Sequence, residues 1–393
     1  MQKKISINVL YIISGLQLGG CEKHLVQLLP ELIKEGVKPV VCSLSGKGPL
    51  SGQLEKAGIP ILYPSYSGLI HSFPKLLKWP LTGFVSTFVL IKYMLIHKPK
   101  IVHMFLPSAY IFGGLCSIIL KIPIKIMSRR SRNHYQDKYP FIGAIEKFLH
   151  KRMDLLLGNS KIVSSDLIQE SKDAEKIRTI YNGVQIKKPV AKNTKSSVRN
   201  SLDISEDIVV FVITANLIHY KGHDFLIESL SMIKDLLREN WLLLVIGEDR
   251  GNLSRLKFKA KSLGVDKNIR WLGLQNDVRY FLSASDVGIL CSHEEGFANA
   301  LLEYMEASLP TVVTDVGGNK EAVVHGVTGL VVSPGDCGEL SSAILYLKES
   351  ASRRRNMGAA ARKRVSSLFS HRASASDYMR CYHEAIKYCA GPN

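Results

Sequence analysis

The stretch VGILCSHEEGFANALLEYMEASLPTVVTD, from Val287 to Asp315, decides the fold. It opens on a short apolar run, VGIL, passes through a polar turn, and continues into NALLEYMEA, whose Ala and Leu recur at helical spacing. A second apolar run, TVVT, follows Leu309 and Pro310. Strand, helix and strand within about thirty residues make a βαβ unit, whose two strands lie parallel beneath the helix.

The same alternation extends outward in both directions. In the second half DIVVFVITAN, WLLLVIGE, IRWLGL and TGLVVSP read as further strands, separated by the helical patterns HDFLIESLSMIKDLL and LSRLKFKAKSLG. In the first half ISINVLYIIS, KPVVCSL, IPILYPS, KIVHMF, IKIMSRR and LLLGNS repeat the layout around EKHLVQLLPELIKEG and GGLCSIILK. Repeated alternation of this kind predicts an α/β protein of two Rossmann-like domains, each a parallel sheet covered by helices, facing across a cleft. The polar segment Val184–Asn200 divides them, so the expected boundaries are 1–184, a linker over 185–200, and 201–368. Ligands in such sheets bind beyond the carboxyl ends of the strands, where chemistry is to be sought.

Composition bounds the function. A chain of 393 residues, 46% hydrophobic and 22% charged, can bury a large core. Its seven cysteines are scattered with no C-x-x-C, which points to reduced thiols in a cytosolic compartment and to no zinc grouping. The N-terminal MQKKISINVLYIIS is too short for a leader and reads as a first strand; the apolar run from Pro80 is broken by Lys92 and reads as a buried or surface-lying helix. Net charge is +18, and residues 1–190 hold 27 Lys+Arg against 11 Asp+Glu. That half would be drawn to an anionic membrane surface, a phosphate-bearing substrate or nucleic acid, although a solvated basic surface accounts for it too. No nucleic-acid-binding module or interleaved aromatic-basic pattern accompanies the charge, so nucleic acid is not expected as a partner.

Four turns carry the candidate chemistry. Gly19 and Gly20 follow the first strand and open a helix, letting backbone amides approach a phosphate, although a glycine pair there also serves as a plain turn. Lys221, beside Gly222, stands in TANLIHYKGHDFLIESL where a cation could meet a phosphate. Gly317 and Gly318 mark another strand-to-helix turn. Glu295 and Glu303 lie eight residues apart. If a helix starts directly after Gly296 they stand up to ~12 Å apart, against roughly 5 to 9.5 Å for a hydrolase pair. The spacing suits two ends of one bound molecule, or two ordinary acids near a helix N-terminus.

Taken together, the order and spacing of these segments resemble the two-domain, B-type glycosyltransferases, specifically the retaining family 4 group. SHEEGFANALLE is similar to that family's E-x7-E signature, GGNKEAVVHGVTGLVV to the segment after it, and ANLIHYKGHDFLIESL to its lysine segment. GLQLGGCEKHL, KIVHMFLPSAYIFG, GNS (Gly158–Ser160) and IYNGV (Ile180–Val184) resemble first-domain landmarks. The resemblance implies an N-terminal acceptor-binding domain, a C-terminal nucleotide-sugar domain, and a terminal helix over 369–393 crossing back to the first domain.

It also implies roles. Glu303 would hold the ribose of a UDP- or GDP-sugar, since a carboxylate can accept from both hydroxyls of a vicinal diol. Glu295, Gly296 and the backbone amides of Phe297, Ala298 and Asn299 would address the sugar and diphosphate. Lys221 would stabilise charge on the departing diphosphate, and Gly19 and Gly20 would approach it. Asn216, expected among the donor-binding residues, replaces the arginine that members often carry five residues before the lysine, and Phe105 replaces a frequent histidine. His103 is either a catalytic residue or a structural one, and Arg129, Arg130 and Arg132 either meet an acceptor phosphate or form a solvated loop.

The expected activity is transfer of a hexosyl group to a hydroxyl acceptor, a lipid-linked or cell-surface polysaccharide or lipopolysaccharide intermediate. The expected location is the cytoplasm, peripheral to the inner face of the membrane. No D-x-D occurs, so no metal and no other cofactor is expected. The alternatives are a non-catalytic sugar-nucleotide-binding protein of the same fold and a basic nucleic-acid-binding protein.

Overall fold

The computed structural model describes residues 6–64, 75–133, 135–188 and 192–389, with the backbone alone for 75–84 and 192–194. The chain divides into two compact units, residues 1–183 with 371–393, and residues 184–370.

The first unit holds β1 (Ile7–Ile13), β2 (Val37–Ser43), β3 (Ile61–Leu62), β4 (Ile101–Phe105), β5 (Ile124–Arg129), β6 (Leu155–Gly158) and β7 (Ile177–Thr179). All neighbours are parallel, in the order β3-β2-β1-β4-β5-β6-β7. A parallel sheet is covered on both faces, which is why these strands are near-continuous apolar runs. Among helices of eight residues or more, the unit has α1 (Gly20–Lys34), α2 (Lys75–His97), α3 (Pro107–Ile119), α4 (Pro140–His150) and α5 (Lys161–Ser171). Val9, Tyr11 and Ile13 face α1 in one core, while Leu10 and Ile12 face α2, α3, α4 and α5 in another. The direction of strand order reverses between β1 and β4, so the loops after these two strands flank a crevice. The three-residue β7 is too short to show a period in the sequence.

The second unit holds β8 (Val209–Thr214), β9 (Trp241–Ile246), β10 (Ile269–Gly273), β11 (Val287–Leu290), β12 (Thr311–Thr314) and β13 (Gly329–Val332), parallel in the order β10-β9-β8-β11-β12-β13. Its helices are α6 (Lys192–Ser201), α7 (His223–Met232), α8 (Leu253–Ser262), α9 (Asn299–Glu306), α10 (Cys337–Lys348) and α11 (Ala351–Leu368). The last helix, α12 (His371–Cys389), lies in the first unit, where Tyr378 and Tyr382 are buried in the core beside α1. The opening stretch is β11, α9 and β12, with Gly288 opposite Thr311.

Two expectations change. Much of the segment read as linker is helix: α6 buries Arg199, which donates to the Ala284 carbonyl and, at 2.6 Å, to Asp286. Polar composition suggested a linker because an arginine can be buried once it has counter-charge and carbonyl partners. The pattern read as one helix from His223 is also interrupted at Ile233, with a short turn of helix resuming at Lys234. The apolar run from Pro80 lies in α2, and among the described residues no helix is long and apolar enough to cross a membrane.

Candidate functional site

The carboxyl ends of β8, β11 and β12 bring three turns of the second unit together. After β8 the chain makes one tight turn, His219–Lys221, ended by Gly222 at φ +74°. A Cβ on Gly222 would stand 1.9 Å from the Cys291 carbonyl oxygen, so a side chain there would force the turn away from the end of β11. The amide of His293 donates to the Tyr220 carbonyl at 2.7 Å and closes the contact.

This closeness sets the central pair. Lys221 Nζ donates to Glu295 Oε1 at 2.6 Å, and Ser292 Oγ donates to the same oxygen at 2.7 Å. Thr314 at the end of β12 holds the Ser292 carbonyl at 2.6 Å. The two side chains are 18% and 9% exposed, so Coulomb attraction between them is stronger than for a surface pair. Both bonds fall on Oε1, which leaves Oε2 as an acceptor. Lys221 in turn has three donors and needs one for this bond.

Behind Glu295 stands the turn after β12. Gly317 has φ +55°, its Cβ position lies 2.1 Å from the Glu295 carbonyl oxygen, and the Gly318 amide donates to the Gly296 carbonyl at 2.8 Å. Residues 295 and 296 are therefore fixed from both sides by turns that only glycine permits.

The helix that follows starts where the NALLEYMEA pattern begins, and not directly after Gly296. Phe297 and Ala298 are buried and non-helical, and α9 begins at Asn299. Only the four-residue step from Asn299 to Glu303 adds helical rise, about 6 Å, so the ~12 Å figure for the two glutamates does not apply. Ala298 occupies the N-cap position without a side-chain cap, and the positive end of the helix dipole there favours an anion. Glu303, half-buried, lies one turn further along. Glu306 is buried and holds the Lys187 amide at 3.0 Å and Arg362, which makes it structural. Asn216 uses its side-chain carbonyl to accept from the Glu248 amide at 3.1 Å, fixing the turn after β9.

In the first unit most predicted residues are already engaged. His103 is fully buried; its ring nitrogens bond Tyr382 Oη and Ser128 Oγ, each at 2.8 Å, and Tyr382 continues to Tyr11 at 2.9 Å. Burial, and then the Arg130 charge, push its pKa well below the usual imidazole range. A neutral ring with both nitrogens taken inside the core has the surroundings of a structural residue, the second of the two roles expected for His103.

Arg129 is also buried, pairing with Glu170 at 2.6 Å and Glu146 at 3.0 Å. Burial alone would raise the Glu170 pKa, but hydrogen bonds from His150 and Arg129 bring it below the ordinary carboxylate value. Arg132 pairs with Asp166 at 2.9 Å. Buried Arg129 finds the counter-charge it requires within the unit, and partly exposed Arg132 is paired there too, so neither is the solvated or acceptor-facing loop cation that the sequence left open. Arg130 differs: half-buried, it donates to Asn182 and Tyr378 and its guanidinium lies 5.5 Å from the ring centre of Phe105. Glu146, His150 and Glu170 have metal-type ligand atoms within 4.8 Å of one another, but Arg129 and Tyr135 occupy the carboxylates.

Gly19 is the N-cap of α1 and Gly20 its first residue, as a phosphate-approaching turn requires. A Cβ on Gly19 would meet Glu22 Oε2 at 2.2 Å, so an acid already lies against this helix start, and burial raises its pKa. The residues sequence reasoning missed are Ser292 and Thr314, together with the supporting roles of Gly222, Gly317 and Gly318. The glycines were visible as turn signals, but the carbonyls they approach belong to distant strands.

Comparison with known proteins follows this division. The profile described as Glycosyltransferase Family 4 matches residues 18–188, and that described as Glycosyl transferases group 1 matches residues 194–364. The N-acetyl-alpha-D-glucosaminyl L-malate synthase of Bacillus anthracis is 27% identical over 57% of this chain and 59% of its own length. The capsular polysaccharide biosynthesis glycosyltransferase CapM of Staphylococcus aureus is 26% identical over 75% and 79%. Among solved structures, HepE of Anabaena in complex with UDP superposes with a TM-score of 0.83 at 20% identity, covering 96% of this chain and all of that one.

Proposed function

As this chain belongs to the glycosyltransferases of group 1 and family 4, we propose that it is a retaining enzyme that transfers a sugar from a UDP- or GDP-sugar to a hydroxyl acceptor. The observation that carries the reading is the Lys221–Glu295 pair, 2.6 Å apart and mostly buried, set against the start of α9 with Glu303 one turn beyond. Lys221 and the α9 dipole favour a diphosphate, Glu295 Oε2 has acceptor capacity for a sugar hydroxyl, and Glu303 can accept from both hydroxyls of a ribose.

In the transfer, the bond from the anomeric carbon to the diphosphate oxygen breaks as the acceptor hydroxyl attacks from the same face. The departing diphosphate takes the hydroxyl proton, and Lys221 stabilises the charge that develops on it. No protein nucleophile is needed, and Lys221 and the dipole supply the positive charge that a metal provides elsewhere. Two of the relatives bear on the substrates. HepE has been solved with UDP-glucose, and CapM is named for capsular polysaccharide synthesis. The acceptor we propose is accordingly a glycan or lipid-linked intermediate of a surface polysaccharide or lipopolysaccharide, modified at the cytoplasmic side of a membrane.

The test is a thermal-shift panel of UDP-, GDP- and ADP-sugars on the wild type and Glu303→Ala. A ligand at 100 times its Kd adds about 2.7 kcal/mol to native stability. A shift with one nucleotide that Glu303→Ala loses supports the donor site; equal shifts in both proteins reject the role of Glu303. Binding without nucleotide release across a panel of glycan acceptors would make the chain a non-catalytic sugar-nucleotide binder.

A further inference from the structure

The first unit carries a face that ordinary packing does not explain. Right-handed crossovers place α2, α3 and α4 on one side of its sheet in the order of the strands they join, and their inner residues Leu90, Met94, Cys116 and Leu149 share one core. The outer sides of the three helices are thus neighbours in one layer.

A surface helix normally turns polar residues outward. Here α2 turns out Phe88, Lys92, Leu95 and Ile96, a stripe at helical spacing, with Phe88 62% and Ile96 63% exposed. On α3 the outward residues are Leu115 and Ile119, the latter 71% exposed, and on α4 they are Phe141, Lys147 and Phe148, with Phe141 77% exposed. Single exposed apolar residues are commonplace, but three adjacent helices doing the same is not.

The exposed charge along this stretch is predominantly positive. From Val85 to Arg152 the sequence holds 12 Lys+Arg, of which Arg129, Arg130 and Arg132 are engaged inside the unit, against two acids, Asp137 and Glu146, and Glu146 is buried against Arg129. Lys92, Lys98, Lys100, Lys121, Lys147 and Lys151 are exposed, so lysines alternate with the apolar residues. Arg152 lies 3.7 Å over the Phe148 ring, an apolar body with a cation at its edge.

We propose that the outer face of α2, α3 and α4 docks on an anionic lipid bilayer, with the apolar side chains entering the boundary between headgroups and acyl chains and the lysines meeting lipid phosphates. This combination is what an interfacial surface requires. Charge complementarity selects the occupant: a second copy of this face would bring like charges together, and a nucleic acid would gain nothing from outward Leu and Ile side chains. The inference stands apart from the transfer reaction, since it uses no residue of the Lys221–Glu295 site.

The experiment is vesicle co-sedimentation of the full chain, with phosphatidylglycerol-containing and purely phosphatidylcholine vesicles, at low and high salt. Binding to the anionic vesicles only, weakened by salt, is expected. Phe141→Ser/Phe148→Ser should lower the partition coefficient about tenfold or more, and each of Lys92→Gln and Lys147→Gln about fivefold, with circular dichroism showing the fold retained. Equal binding to both vesicle types, or anionic binding unchanged by all these variants, overturns the proposal. So does a concentration-dependent rise in mass that Phe141→Ser/Phe148→Ser abolishes, since the face would then join two copies. Retention of duplex DNA by the same lysines without vesicle binding overturns it as well.

Discussion

The two units present the same kind of sheet and the same kind of strand-end turn, yet treat their charged residues differently. In the first, His103, Arg129 and Arg132 are joined to Tyr382, Glu146, Glu170 and Asp166 inside the unit. In the second, Lys221 and Glu295 are paired but each retains unused hydrogen-bonding capacity, and the adjoining helix start has no side-chain cap. A charged residue at a strand end therefore signals function only when the fold leaves it something to bind. The first unit's excess of positive charge is spent partly on internal ion pairs and partly on an outward face away from the strand ends.

Removing a partner tests the difference most severely. Arg129→Ala leaves Glu146 and Glu170 buried without their counter-charge and is expected to cost about 3 to 5 kcal/mol of stability, measured by urea denaturation. A variant as stable as wild type would mean that these carboxylates do not depend on the arginine. Lys221→Ala should act on turnover, lowering kcat about 100- to 1000-fold in a nucleotide-release assay; activity near wild type would erase the contrast between the units.

Gly317→Ala places a Cβ 2.1 Å from the Glu295 carbonyl at a positive φ, and should cost about 1 to 3 kcal/mol and weaken donor binding along with it. Loss of stability with donor Kd unchanged would separate the turn from the site. His103→Asn removes buried hydrogen bonds and should lower stability by about 1 to 3 kcal/mol while leaving kcat within a few-fold of wild type. A collapse of kcat with little change in Tm would favour the catalytic role for this histidine.

Acid gives the gentlest probe. His24, His103 and His371 in the first unit and His223 in the second are buried, and burial lowers all four pKa values, His223 and His371 to about 4. Unfolded histidine takes up its proton near pH 6.5. Below that pH the unfolded chain binds protons the folded one does not, so stability is lost as pH falls from about 6.5 toward 4, by about 1.4 kcal/mol per pH unit for each histidine. With three of the four in the first unit, its amides should lose hydrogen-exchange protection first on acidification; earlier loss in the second unit would contradict the assignment.

Most of the sheet scaffold was legible in the sequence, because both faces of a parallel strand are buried and the apolar run is its own signal. All six strands of the second unit were readable this way, and β7, with three residues, was not. The residues proposed for the donor site, Lys221, Glu295 and Glu303, stood out in the sequence through the segments that resemble the family's lysine and E-x7-E segments. Local spacing could not show that the helix from His223 breaks at Ile233, nor that Lys192–Ser201 is a helix anchored by buried Arg199. Helix ends and polar helices depend on partners that the local pattern does not contain.

By itself the sequence determined the period of each element, the glycines at the turns and the uneven distribution of charge. The tertiary structure alone decided which charges are satisfied. Arg129 and Lys221 look alike in sequence, each a cation beside a strand end. One meets carboxylates from two helices of its own unit, and the other meets a single glutamate held by Ser292. Whether a charge is buried against counter-charges or left with capacity for a ligand depends on which distant segments the sheet order brings beside it, and Coulomb and desolvation energies act on those distances, not on sequence separation.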